Sequence, residues 1–189
     1  MKRFATYEGD PHTINAMRLL ILTAARPGEV RGARWDEIDI AAKQWRIPAE
    51  RMKMRVEHII PLSRQALEVI EVIRPLTGTR ELIFPSPYYP TKSLSENTFN
   101  SALARMGYKG YATAHGFRAL FSTVANESGW DADVVERQLA HIEGNKVRAA
   151  YHRATYLGER AELMHWWADF LDAKAAGAKV IPIRSGKAA

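Results

Sequence analysis

The stretch TAHGFRALFSTVANESGW, residues 113–130, sets His115 and Arg118 three residues apart on an otherwise apolar helix. At that spacing two side chains are neighbours on one helix face. A histidine can exchange a proton near neutral pH, and an arginine is a permanent cation with a planar fork of donors. Taken alone, the pair reads equally as a core histidine beside a structural arginine, because H-x-x-R arises by chance in basic chains. Arg26 lies between an apolar helix and a second helix opened by Pro27, where unpaired N–H groups favour an anion; a surface arginine at a corner is the plainer reading. Glu29 can brace Arg26 or pair with Arg31 or Arg34. Lys53, in RMKMRVEHIIPLS, falls in the turn before a strand and reads alone as a solvated charge. His141 ends a helix, where a cation is favoured. Tyr151 and Tyr156 lie beyond it; five residues apart, they are rotated by about 140° on a helix and face different ways.

These groups sit in a chain of 189 residues, enough for one domain with a substantial core. Lys and Arg number 27 against 21 acidic residues, a formal charge of +6, which favours polyanionic partners and nucleic acid first. The absence of cysteine removes disulfides, thiolate metal sites and a thiol nucleophile. No apolar run reaches the roughly 20 residues that span a membrane, and the polar start MKRFATYEGD is unlike a signal peptide. A protein of the reducing cytoplasm is expected.

The elements that must position the candidates follow from local signals. Asp10 and Pro11 open a helix through DPHTINAMRLLILTAA, whose second half is apolar nearly all round and belongs in the core. Arg26, preceding a proline, marks a corner. Short alternating runs predict a small antiparallel sheet at about residues 37–61. Helices are then predicted from Ser63, from Ser95 to Gly107, over about 114–128 and from Asp131. A short helix over GNKVRAAYHRATY comes next, then a final one with Leu163, Trp166, Trp167, Phe170 and Leu171 on one face. The fold class is α+β, mainly α, in one domain over residues 1–172, with residues 173–189 as a flexible or subunit-exchanging tail.

The order Arg26, Lys53, His115, Arg118, His141, Tyr151 resembles the catalytic set of the tyrosine recombinases, the phage-integrase family. The segments TAARPGEVRGARWDEID, RMKMRVEHIIPLS, HGFRALFSTVANESG and RQLAHIEGNKVRAAYHR carry the resemblance, which extends from about residue 15 to 156. The wording GEVRGARW, ERMKM and NKVRAAY looks especially like integrases of satellite phages and genomic islands. The resemblance implies Arg26 and Arg118 as paired arginines, His115 and His141 as the two histidines, Lys53 as the β-hairpin lysine and Tyr151 as nucleophile. It implies DNA breakage and rejoining at a phosphodiester through a 3′-phosphotyrosyl intermediate, in a homo-tetramer on double-stranded DNA. No metal or cofactor is implied. Arg31, Arg34, Lys92 and Arg148 are further candidates for DNA contact. The family's N-terminal DNA-clamping domain is expected to be absent from this chain. Ala140 stands where the family commonly has glycine, and little effect is expected. Two other readings compete: a DNA-binding module that has lost cleavage, and a metal-dependent nuclease with His115 and His141 as ligands, which lacks nearby carboxylates.

Overall fold

The computed structural model describes residues 7–141 and 155–177. Helix α1, Pro11–Thr23, starts where Asp10 accepts the Thr13 N–H at 2.9 Å, with proline at the first position. Met17, Leu19, Leu20, Ile21 and Leu22 are all buried, so this helix runs through the core. Ala24, left-handed at φ 51°, ends it, and the five-residue helix α2, Pro27–Arg31, begins after the corner at Arg26.

Strands β1 (Ile38–Asp39), β2 (Gln44–Ile47) and β3 (His58–Pro61) form an antiparallel sheet in that order, within the span the alternation predicts. Its register pairs Ile38 with Trp45, Trp45 with Ile60 and Ile47 with His58. Trp45, Ile47 and Ile60 are fully buried, and the alternate position Arg46 is exposed.

Helix α3, Arg64–Thr77, is capped by Ser63 as expected, its hydroxyl accepting the Ala66 N–H at 3.3 Å. Helix α4 occupies Thr98–Arg105, two residues later than a Ser95 cap implies. Ser95 instead meets the Thr98 hydroxyl at 2.9 Å and accepts the Thr98 N–H through its backbone carbonyl at 3.1 Å, a turn preceding the helix. Gly107, at φ 85°, closes α4 as read from the sequence. Helix α5 spans Gly116–Glu127 and α6 spans Ala132–Gln138, the latter capped by Asp131. Helix α7, Leu157–Ala176, continues four residues beyond the boundary at 172 before Gly177 ends it at φ 81°.

Helices α1, α3, α5 and α7 pack around one apolar centre. Phe121 of α5 meets Trp167 of α7 edge-on at 5.3 Å, and the Trp167 indole N–H donates to the Ile21 carbonyl of α1 at 2.8 Å. A buried tryptophan thereby satisfies its only donor while joining three helices. The long α7 is therefore locked on the core, close to the ends of α1 and α6.

Candidate active site

The end of α6 is built as a Schellman turn. The Ala140 N–H donates to Arg137 O at 3.1 Å and the His141 N–H to Glu136 O at 3.1 Å, with Ala140 left-handed at φ 48°. The turn leaves the carbonyls of Leu139 and Ala140 available, and the two arginines take one each. Arg118 Nη2 donates to Leu139 O at 2.6 Å, and Arg26 Nη2 donates to Ala140 O at 3.1 Å. Arg118 Nη1 also donates to the Ala24 carbonyl at the end of α1. Residues 92 apart in sequence are thus mounted on one turn.

Glu29 braces Arg26 rather than Arg31 or Arg34. Its carboxylate accepts the Arg26 N–H and Nη1, both at 2.8 Å, so it caps α2 and aims the guanidinium together. Glu29 is buried. Beside the pair, His141 Nδ1 lies 2.7 Å from Glu136 Oε2, and its Nε2 lies 3.5 Å from Arg118 Nη2, the outer limit of a hydrogen bond. Glu136 thus orients the ring of His141 toward the arginines.

Arg118 is 5% exposed. Burial, then repulsion from Arg26, lowers its pKa to about 10 against the pull of Glu29 and Glu136, so it stays charged at neutral pH. The buried His58 is held neutral: burial, then Arg160, lowers its pKa to about 3, with Arg26 and Arg118 adding to the effect. The site is a cationic cluster with two carboxylates near it, an environment that favours an anion. Among the described residues no three His, Asp or Glu side chains gather as a metal-ligand set.

His115 is the exposed residue preceding the first turn of α5, not a residue on its face: residues 113–116 form a turn closed by the Gly116 N–H on the Thr113 carbonyl at 3.0 Å, and the helix starts at Gly116. It stands one turn ahead of Arg118, whose N–H donates to the His115 carbonyl at 3.1 Å. Lys53 is exposed in the connection between β2 and β3. The root of that connection is anchored: Arg51 pairs with Glu37 and donates to the Glu29 carbonyl at 2.8 Å, and Met52 is buried. Lys53 therefore follows by two residues an anchor on α2, the helix whose glutamate aims Arg26. Tyr151 and Arg148 lie outside the described residues. Tyr156 precedes α7, half-buried against the core, as its place in the sequence suggests.

Of the other candidates for DNA contact, Arg31 donates to Leu94 O at 2.8 Å and pairs with Glu96 at 3.6 Å, and Arg34 pairs with Glu81 at 2.5 Å. Both tie loops together in this conformation. Lys92 is exposed and lies 5.2 Å from the Tyr89 ring centre. Sequence reasoning passed over Arg51, His58, Gln138 and Arg160. The buried Arg160 sits on a helix whose aromatic face drew attention away from it.

Helices around a small antiparallel sheet, with paired arginines fixed on a helix-end turn, define an α+β domain with a cationic cluster at that turn. Residues 4–157 match the model of the phage integrase family, and the chain belongs to that family. It is 47% identical over 161 residues to prophage integrase IntA of Escherichia coli K12, covering 85% of this chain and 39% of the relative. It is 46% identical over 188 residues to the integrase of Enterobacteria phage P4, covering 91% and 43%. The chain thus spans less than half the length of these two relatives. Among solved structures, the integrase from mycobacterium phage Brujita superposes with a TM-score of 0.67 at 20% identity, over 86% of this chain and 54% of that one. A lambda integrase dimer bound to a COC′ core site superposes with 0.58 at 20% identity, over 75% and 55%. The fold is that of these recombinase domains, as the residue pattern implies.

Proposed function

We propose that this domain cuts and rejoins DNA strands as a tyrosine recombinase, in site-specific integration or excision of a mobile element. The convergence of Arg26, Arg118 and His141 on one turn supports this reading most directly. A phosphodiester gathers negative charge on its non-bridging oxygens as it reacts. Rigid guanidinium forks neutralise that charge best when they are positioned beforehand. Among the described residues each fork engages two backbone or carboxylate acceptors at well-defined places, and each has five donors in all.

In the proposed reaction the Tyr151 oxygen attacks phosphorus, the bond to the 5′-oxygen breaks, and a 3′-phosphotyrosyl bond forms. The 5′-oxygen leaves as a hydroxyl after receiving a proton, for which Lys53 is the candidate donor. His115 is the candidate acceptor for the tyrosine proton. A 5′-hydroxyl of another strand then attacks the phosphotyrosine and returns the proton bookkeeping to its start. One ester replaces another at each step, so no external energy source is needed. The working assembly is proposed as a homo-tetramer on double-stranded DNA in the bacterial cytoplasm; lambda integrase, a neighbour in fold, has been solved as a tetramer bound to a Holliday junction. Lys92 and Arg148 are proposed to add DNA contacts, and Arg31 and Arg34 only if their present pairs open.

The test is a pool of nicked suicide duplexes enriched for binding to the protein. The wild-type chain is expected to form a covalent adduct that survives denaturing electrophoresis, with the nucleotide on Tyr151 by mass spectrometry. Tyr151→Phe should bind the duplex equally and form no adduct, and Tyr156→Phe should still form it. Binding without any adduct would favour a DNA-binding module that does not cleave.

A further inference from the structure

We propose that Arg160 is a positioning residue for strand cleavage, an inference that rests on the preceding reading of the site. Arg160 lies in the first turn of α7 and is 4% exposed. Its Nε donates to Gln138 Oε1 at 3.1 Å, its Nη1 to Thr155 O at 3.3 Å, and its Nη2 to Ile59 O in β3. None of these acceptors is a carboxylate. Burial, then the charge of Arg137, lowers its pKa to about 10. Burying such a cation is costly, and an apolar side chain of similar volume would serve packing as well. A cation that reaches three separate segments fixes their relative positions instead.

Those segments carry the site. Gln138, 1% exposed, takes the Arg160 donor on its side-chain oxygen and donates its own Nε2 to Thr23 O at 3.2 Å. Its backbone carbonyl lies 3.2 Å from Nε2 of the neutral His58, which must therefore carry the proton and donate. The end of α1, the end of α6, β3 and the start of α7 thus meet at one glutamine. The next two residues after Gln138 present the carbonyls that hold Arg118 and Arg26, and the residue after Thr23 presents the carbonyl that holds Arg118 from the other side. Gln138 and Arg118 therefore zip residues 23–24 to residues 138–139, and Arg160 is the clamp on that zip. Thr155, whose carbonyl Arg160 also holds, lies four residues after Tyr151 in sequence.

The inference is tested on the full chain with Arg160→Met and Arg160→Lys. Dissociation constants for intact duplex are measured beside single-turnover rates of adduct formation on saturating nicked duplex. A misplacement of about 1 Å in a reacting constellation costs about 100-fold in rate. The Met variant is therefore expected to cleave at least about 30-fold more slowly with binding changed less than about threefold. The Lys variant, which keeps the charge and loses the fork, should fall between. A Met variant that cleaves within about threefold of wild type would overturn the proposal, as would binding lost in step with the rate. If circular dichroism shows the Met variant unfolded, the Lys variant decides: a wild-type rate overturns the inference, and a slower rate at unchanged affinity and melting temperature supports it. A wild-type chain that forms no adduct overturns the cleavage reading and this inference together; an active wild type beside an equally active variant overturns this inference alone.

Discussion

Ala140 shows how one backbone angle carries the site. It occupies the left-handed position of the Schellman turn at φ 48°, where glycine is at ease and a Cβ is not. The expectation of little effect from alanine here therefore needs revision, since the strain falls on the residue whose carbonyl holds Arg26. Left-handed backbone costs a non-glycine residue about 1–2 kcal/mol, partly offset by the greater chain entropy that glycine loses on folding. Ala140→Gly is expected to raise stability by about 0.5–1 kcal/mol in urea denaturation. His58 provides a second prediction. Its pKa is lowered in the folded state from 6.5 to about 3, so the unfolded chain binds a proton that the folded chain refuses. Its contribution is constant above the unfolded value, and stability falls as pH drops from about 6.5 toward 3. At pH 5 the loss is about 2 kcal/mol relative to pH 7.5. His58→Gln should flatten that part of the stability profile, and an unchanged slope would refute the assignment. The sequence displayed Arg26, Arg118 and His141 because their order and neighbouring residues are distinctive. It concealed His58, Gln138 and Arg160 because their significance lies in carbonyls 80 to 115 residues away, and no local spacing encodes those.

At the scale of elements, the connection between β2 and β3 is held by an acid rather than by apolar packing alone. Glu37, buried, accepts the Trp45 indole N–H at 3.0 Å and the Arg51 guanidinium, and Arg51 reaches on to α2. Removing the carboxylate leaves a buried indole donor and a part-buried cation without that partner, a change that costs about 2–4 kcal/mol. Glu37→Ala is therefore expected to lose stability of that order, measured by chemical denaturation. Amide hydrogen exchange should also quicken in residues 48–57, since Arg51 then has less to hold it. Caps written in the sequence, at Asp10, Ser63 and Asp131, located their helices because each satisfies N–H groups two or three residues away. Ser95 misled because a Ser-x-x-Thr turn uses the same residues as a cap. The start of α5 falls two residues after position 114 because residues 113–116 close as a tight turn, the Gly116 N–H donating to the Thr113 carbonyl at 3.0 Å. His115 consequently stands at the mouth of the helix and not along its side.

For the whole molecule, the excess of 27 basic over 21 acidic residues overstates the charge available to DNA, because several exposed cations already have partners. Arg34 pairs with Glu81, and Arg64 with Glu68 at 2.5 Å. Exposed pairs of this kind contribute little to stability, but they cancel long-range field. Arg26, Arg118 and Arg160 all act electrostatically on the buried His58, so part of the positive charge is gathered around the site, with Glu29 and Glu136 as the nearby acids. Binding to duplex should therefore be dominated by a limited number of phosphate contacts. Neutralising about four phosphates gives a slope of about −3.6 in log affinity against log salt, or about 150-fold weaker binding between 50 and 200 mM. Lys92 and Arg31 separate the contributions. Lys92 is exposed and rests only on the Tyr89 ring among the described residues, so Lys92→Ala should reduce the slope by about 0.9 if it meets a phosphate. Arg31 is committed to Leu94 O and Glu96, so Arg31→Ala should leave the slope unchanged and lower thermal stability by loosening the segment before α4. Fluorescence anisotropy at five or so salt concentrations on one labelled duplex reads both variants. A steeper loss of slope for Arg31→Ala than for Lys92→Ala would show that the Arg31 contacts open on DNA and that the arginine turns to the phosphate backbone.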